Sequence, residues 1–178
     1  MQRGAQSPGR CARGVTWPTA RARSDGSFPV LAGQHASVVV KQLADIRSGL
    51  RDNPIMYPFA TTLTDAQELA DLAAYVSSLK SREANGRGPG RALELGQRLY
   101  ERDCASCHGA KAEGDESKLF PLLAGQHYRY LLRQVTDIRS GSRRNANPEM
   151  VRRIRTYTTR DLEALADYTS RLQRPQRD

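Results

Sequence analysis

Apolar positions along the chain recur at the spacing of helices. Val39, Leu43 and Ile46 stand at i, i+4 and i+7, and Leu131, Val135 and Ile138 repeat the arrangement. Gly49 and Gly141 follow as C-terminal stops, where a left-handed residue ends a helix at low cost. A second helix is expected from near Thr64, with Gln67 as its capping-box partner and Leu69, Leu72, Tyr75 and Leu79 on its buried face. Its later counterpart runs from about Thr159 through Leu162, Leu165, Tyr168 and Leu172. A further amphipathic helix, carrying Ala92, Leu95, Gly96, Leu99 and Tyr100, runs into Cys104.

The helices fall into two copies of one pattern. Phe28-Pro29-Val30-Leu31-Ala32-Gly33-Gln34-His35 returns as Phe120-Pro121-Leu122-Leu123-Ala124-Gly125-Gln126-His127, at an offset of 92, and the same offset carries Asp45-Ile46-Arg47-Ser48-Gly49 onto Asp137-Ile138-Arg139-Ser140-Gly141. Pro54-Ile55-Met56 matches Pro148-Glu149-Met150 after two inserted residues. The expectation is an all-α chain of two tandem helical domains: 25–80 an incomplete first domain, 81–90 a Gly- and Pro-bearing linker, and 91–174 a complete second one. The first is expected to be incomplete, because the offset of 92 puts the start of the helix leading to Cys104 at or before Met1.

Composition adds limits. The chain has 178 residues, 38% hydrophobic, with a mean hydropathy of −0.66, and its longest apolar stretch, Val38 to Val40, is far too short for a transmembrane segment. The net charge of +9 and pI near 9.9 suggest an anionic partner, but the distribution argues against nucleic acid. Residues 1–24 hold five arginines and no acid, residues 25–86 carry five basic against seven acidic side chains, and residues 87–178 carry eighteen against twelve. The basic excess outside the leader is modest and no basic helix bears base-reading residues. Residues 1–24 lack the apolar core of a secretory signal.

The chemistry lies in Cys104-Ala105-Ser106-Cys107-His108, a C-x-x-C-H pattern that attaches c-type haem. Thiols one helical turn apart suit two haem vinyl groups, and the adjacent imidazole lies under the iron. Zinc, held by Cys104 and Cys107 with His108 and His127, is the weaker alternative, since zinc ligands usually come as two spaced pairs. For the sixth iron ligand Met150 is preferred, on a loop between helices after the breaking stretch Asn145–Glu149, over His127, whose twin His35 sits in a half without the motif. Pro121 either lends a backbone carbonyl to His108 or only shapes its loop. Gln126 and His127 are expected to shape a helix start or an interdomain contact.

These motifs together, C-x-x-C-H, the doubled Leu-Ala-Gly-Gln-His, Ile-Arg-Ser-Gly, Pro-x-Met and the terminal Leu-Ala-Asp-Tyr helix, resemble the cytochrome c4 family over residues 25–178. The resemblance implies two class I cytochrome c domains, a periplasmic electron carrier rather than an enzyme, His/Met ligation of each of two haems, and redox partners such as a membrane-bound terminal oxidase or cytochrome complex. Carried over motif by motif, Cys104 and Cys107 are the thioether residues, His108 and Met150 the axial ligands, and Met56 the axial ligand of a first haem. The first copy departs from the family: Ala12, Val15 and Thr16 stand where its C-x-x-C-H should fall, beside a lone Cys11. One haem c is therefore expected, with Met56 filling a core gap unless a first haem is present. The segment Cys11–Thr16 permits codons that give Cys-x-x-Cys-His two bases later, with that His twelve residues before Phe28, as His108 is before Phe120. On this reading residues 1–24 are an unstructured or out-of-frame leader. The competing functions are a haem enzyme or ligand sensor with an open iron site, and a nonfunctional frameshifted product.

Overall fold

In the computed structural model, which describes residues 25–81 and 85–174, every regular element is an α-helix. The first half contributes α1 (Ala36–Arg47), α2 (Tyr57–Thr62) and α3 (Ala66–Ser78). The second contributes α4 (Leu93–Asp103), α5 (Ala105–His108), α6 (Tyr128–Ser140), α7 (Pro148–Ile154) and α8 (Thr159–Arg171). Thus α1, α2 and α3 correspond to α6, α7 and α8, while α4 and α5 have no counterpart among the described residues. The β structure among those residues is one isolated bridge, Asp115 to Phe120. None of their helices is long and apolar enough to cross a membrane. The leader, with Cys11 and its shifted-frame reading, lies outside the described residues.

The second half buries the faces its periodicity indicates. Leu131, Val135 and Ile138 of α6 are buried, and Gly141 closes the helix at φ +80. α8 opens on a full capping box in which Thr158 and Asp161 satisfy each other's backbone N–H groups, and it buries Leu162 and Leu165. The helix α4 lies directly across α8, and the contact depends on Gly96, because a Cβ there would collide with the Ala164 carbonyl and the Tyr168 side chain. Tyr168 then tilts against Tyr100, with ring centroids 5.8 Å apart.

The first half differs in two places. In α1 the buried apolar pair is Val38 and Ile46, with Val39 and Leu43 only half-buried. In α3 the cap is Asp65 rather than Thr64, its carboxylate accepting from Gln67 N–H at 2.6 Å and Glu68 N–H at 3.1 Å. That helix buries Leu69, Ala73 and Val76, whereas Tyr75 is 37% exposed and Leu72 and Leu79 are half-buried. The physical reason is the absence, among the described residues, of a helix playing the part of α4. The face equivalent to Leu165 and Tyr168 is left partly uncovered, so the burial seam turns toward α1.

The halves meet about an approximate two-fold relation. Gln34 Nε2 donates to Leu122 O at 2.9 Å and its Oε1 accepts from Leu122 N–H at 2.9 Å. In return Gln126 Nε2 donates to Val30 O at 3.1 Å and its Oε1 accepts from Val30 N–H at 2.8 Å. Each glutamine therefore pairs with one residue of the other copy as a short strand would. A second layer crosses the same axis: Arg51 and Arg143 each donate to both Gln42 Oε1 and Gln134 Oε1, at 2.7–3.2 Å. Burial, with Arg51 nearby, pushes Arg143 down to about 10. The joining segment is also anchored, since Asn85 donates to Gln126 O and Ser170 O, and Gly90 N–H donates to Asp167.

Candidate functional site

Helix α4 delivers the motif. Its last residue is Asp103, Cys104 caps it, and α5 turns once through Cys107 to His108, with Cys107 N–H and His108 N–H both donating to Cys104 O at 3.1 and 2.9 Å. The two sulfurs are thus held one turn apart on the same short helix. The chain beyond His108 is fixed by Tyr100, 1% exposed, whose hydroxyl donates to Gly109 O at 2.7 Å. Gly114 N–H returns to His108 O at 2.8 Å, and the Asp115–Phe120 bridge folds the loop back so that Phe120-Pro121-Leu122 passes over the imidazole.

The result is a clamped histidine. His108 is 8% exposed, its Nδ1 lies 3.2 Å from Pro121 O, and its ring sits 6.2 Å from that of Phe120, tilted by 49°. Because a carbonyl can only accept, Nδ1 carries the proton and Nε2 has a free lone pair; among the described residues no hydrogen bond falls on Nε2. Burial holds the imidazole below its ordinary pKa, against a smaller opposing effect of the Pro121 hydrogen bond, so the ring is neutral as a metal ligand must be. Burial, with Asp103 adding to it, pushes the Cys104 thiol up to about 12.

Met150 sits third in α7, not on an open loop as its breaker-rich approach suggests. Asn147 caps the helix by accepting from Glu149 N–H at 2.8 Å, and Pro148 takes the first helical position, where no N–H is needed. Met150 and Cys104 both pack against the cluster built from Leu99, Tyr100, Leu122 and Ile154. Met56 lies in the first half as the residue before α2, its N–H donating to Asn53, and it is half-buried outside that cluster.

His127 takes no part in this site. Its Nδ1 accepts from Gly86 N–H at 2.8 Å, and its Nε2 is buried with no partner among the described residues. Its twin His35 instead reaches Glu113 O at 2.8 Å in the other half. Among the described residues no three His, Cys, Asp or Glu side chains gather to hold a metal ion, so Cys104, Cys107, His108 and His127 do not form the zinc alternative.

The donor set suits a haem c. A thioether sulfur is neutral and would tolerate the apolar packing that disfavours a Cys104 thiolate, and the His108 Nε2 and Met150 Sδ are a nitrogen and a sulfur donor of the kind that can hold haem iron. The sequence pattern alone does not mark Tyr100 or Gln34 as site residues. The doubled Gln-His was the available signal for Gln34, and nothing in the local pattern around Tyr100 distinguishes it from a core aromatic.

The family model described as Cytochrome c matches residues 93–173. The chain is similar to cytochrome c4 of Pseudomonas aeruginosa, 35% identical over 80% of this chain and 74% of that protein. It is also similar to the thiosulfate dehydrogenase electron acceptor of Stutzerimonas stutzeri, 37% identical over 79% of this chain and 69% of the relative. Among solved structures, reduced recombinant cytochrome c4 from Pseudomonas stutzeri superposes with a TM-score of 0.74 at 32% identity, covering 83% of this chain and 86% of the other.

Proposed function

The chain belongs to the cytochrome c4 family, and from that premise we propose that it carries single electrons on one covalently bound haem c. Cys104 and Cys107 would hold the haem through two thioethers, His108 and Met150 would ligate its iron, and the Pro121 carbonyl would orient His108. Bound there, haem supplies a ferric/ferrous couple. The protein's own residues supply the rest: the thioethers prevent loss of the group, the Pro121 hydrogen bond raises the donor strength of His108, and the apolar cluster around Met150 keeps water from the thioether side. No bond chemistry on a substrate is asked of any residue.

The observation that carries this reading is the His108 Nδ1 contact to Pro121 O at 3.2 Å, made from the attachment turn to a loop thirteen residues on, which leaves Nε2 unengaged among the described residues. Met56 ligates iron only where a first haem is present. The site of work is the periplasm, and the partners are redox proteins such as a membrane-bound terminal oxidase or cytochrome complex, toward which the unequal charge of the halves would orient the chain. The test is haem content of the chain produced with a haem-attachment machinery. One haem per chain, abolished by joint Cys104→Ser and Cys107→Ser substitution, is expected; none at all overturns the proposal. A reduced haem that is high-spin and binds carbon monoxide rapidly would overturn Met150 as ligand and favour the open-site enzyme or sensor.

A further inference from the structure

The hydrogen bond that orients His108 does not end at Pro121. The Pro121 carbonyl and the Leu122 N–H belong to one peptide plane, coupled by amide resonance. Leu122 N–H donates to Gln34 Oε1 at 2.9 Å, and Gln34 lies in the other half of the chain. A continuous line therefore runs from His108 Nδ1–H to Pro121 O, through the peptide to Leu122 N–H, and on to Gln34 Oε1.

We propose that Gln34 is a positioning residue that tunes the donor strength of His108 through the Pro121–Leu122 peptide, so that the half of the chain without an attachment motif among its described residues sets the potential of the haem in the other. The proposal rests on His108 being the iron ligand.

Three features support it. Gln34 is 9% exposed, so its amide competes little with water for Leu122. Its own rotation is fixed from both ends: Nε2 donates to Leu122 O at 2.9 Å, and Oε1 also accepts from His35 N–H at 3.0 Å. The Pro121–Leu122 peptide cannot flip without breaking both its Leu122 N–H bond to Gln34 and its Pro121 O bond to His108, and it carries the only carbonyl hydrogen-bonded to the His108 ring among the described residues. Accepting a hydrogen bond from the peptide N–H draws nitrogen lone-pair density toward the carbonyl oxygen. The oxygen becomes a better acceptor for His108 Nδ1–H, the imidazole gains anionic character, and the oxidised iron is favoured. Removing Gln34 should then raise the potential.

The two-fold relation supplies its own control. Gln126 makes the same three kinds of bond, to Val30 N–H, Val30 O and His127 N–H, at 2.8, 3.1 and 3.1 Å. It closes the same interface but touches the Pro29–Val30 peptide, to which no described histidine is bonded. Gln34→Leu and Gln126→Leu therefore remove equivalent interface bonds while only the first reaches His108.

The experiment measures the midpoint potential of the haem-loaded full chain in both variants, together with the 15N chemical shift of His108 Nδ1. Gln34→Leu is expected to shift the one-electron equilibrium toward the reduced form by about threefold, or about 28 mV at 59 mV per decade, with Gln126→Leu leaving it unchanged. Gln34→Glu, which keeps an acceptor for Leu122 N–H, should hold the potential at or below that of the unsubstituted chain. Equal shifts in the two leucine variants, or no shift in Gln34→Leu, overturn the proposal while leaving the haem assignment standing. If no haem is attached, the haem assignment fails, and the His108 Nδ1 shift in the haem-free full chain still decides the relay: displacement by Gln34→Leu but not by Gln126→Leu supports it, and none overturns it.

Discussion

The phenol of Tyr100 and the carbonyl of Gly109 meet at 2.7 Å, tying the buried end of α4 to the residue that follows His108. Burial pushes the Tyr100 hydroxyl far above its ordinary pKa, so it remains a donor at every working pH. The attachment turn is thereby pinned on both sides, by α4 before Cys104 and by this bond after His108.

Tyr100→Phe removes that bond without changing the ring. Gly109 O keeps a second donor, Ala112 N–H at 3.2 Å, so the carbonyl is not left bare. The expected loss is about 1 kcal/mol, seen as a lower urea midpoint at unchanged slope. A much larger loss would mean that the ring packing, not the hydroxyl, had been disturbed.

Gly96→Ala tests the closeness of α4 and α8 by the sign of its effect. In an exposed helix interior alanine would stabilise by about 1 kcal/mol over glycine. Here the added methyl meets the Ala164 backbone and must separate the helices, an overpacking cost of about 1–3 kcal/mol. Net destabilisation in urea unfolding is the expected outcome; a gain in stability would show that the helices stand farther apart.

Pro121→Ala should leave the haem potential nearly unchanged. The group bonded to His108 is a backbone carbonyl, which alanine retains. The cost should appear in stability instead, about 0.4–1 kcal/mol, because the unfolded chain regains freedom that proline denied it. Potentiometry beside urea unfolding of one variant separates the two.

His127 makes stability depend on pH. Burial lowers its pKa in the folded chain, with Asp25 acting to raise it and Arg174 to lower it. Below the unfolded value of about 6.5 the unfolded chain takes up a proton that the folded chain resists. Its contribution is whole above about pH 6.5 and is lost as pH falls through that value toward the lower folded one. In the haem-loaded chain, unfolding followed between about pH 7 and pH 5 should show this slope, and His127→Gln should flatten it.

Much of this molecule is readable from its one-dimensional pattern. The 3.6-residue spacing of Leu131, Val135 and Ile138, the stops at Gly49 and Gly141, and the 92-residue offset reflect local backbone preference and repetition, which need no knowledge of distant contacts. The C-x-x-C-H motif is local too, since its spacing is the spacing of one helical turn. Where local reading missed, a neighbour had decided. Asp65 caps α3 where Thr64 and Gln67 suggested a box, and Tyr75 stays 37% exposed because nothing described in the first half covers it as α4 covers Tyr168.

The sequence by itself determined the helices, the repeat and one C-x-x-C-H signature, because each is written within a few turns of chain. Only the tertiary structure decided that Pro121, thirteen residues past His108, faces its Nδ1, and that Gln34, 88 residues before Leu122, grips the same peptide. Those contacts depend on how two copies of one motif pack about a shared axis, and no periodicity along the chain encodes the direction in which a glutamine side chain crosses an interface.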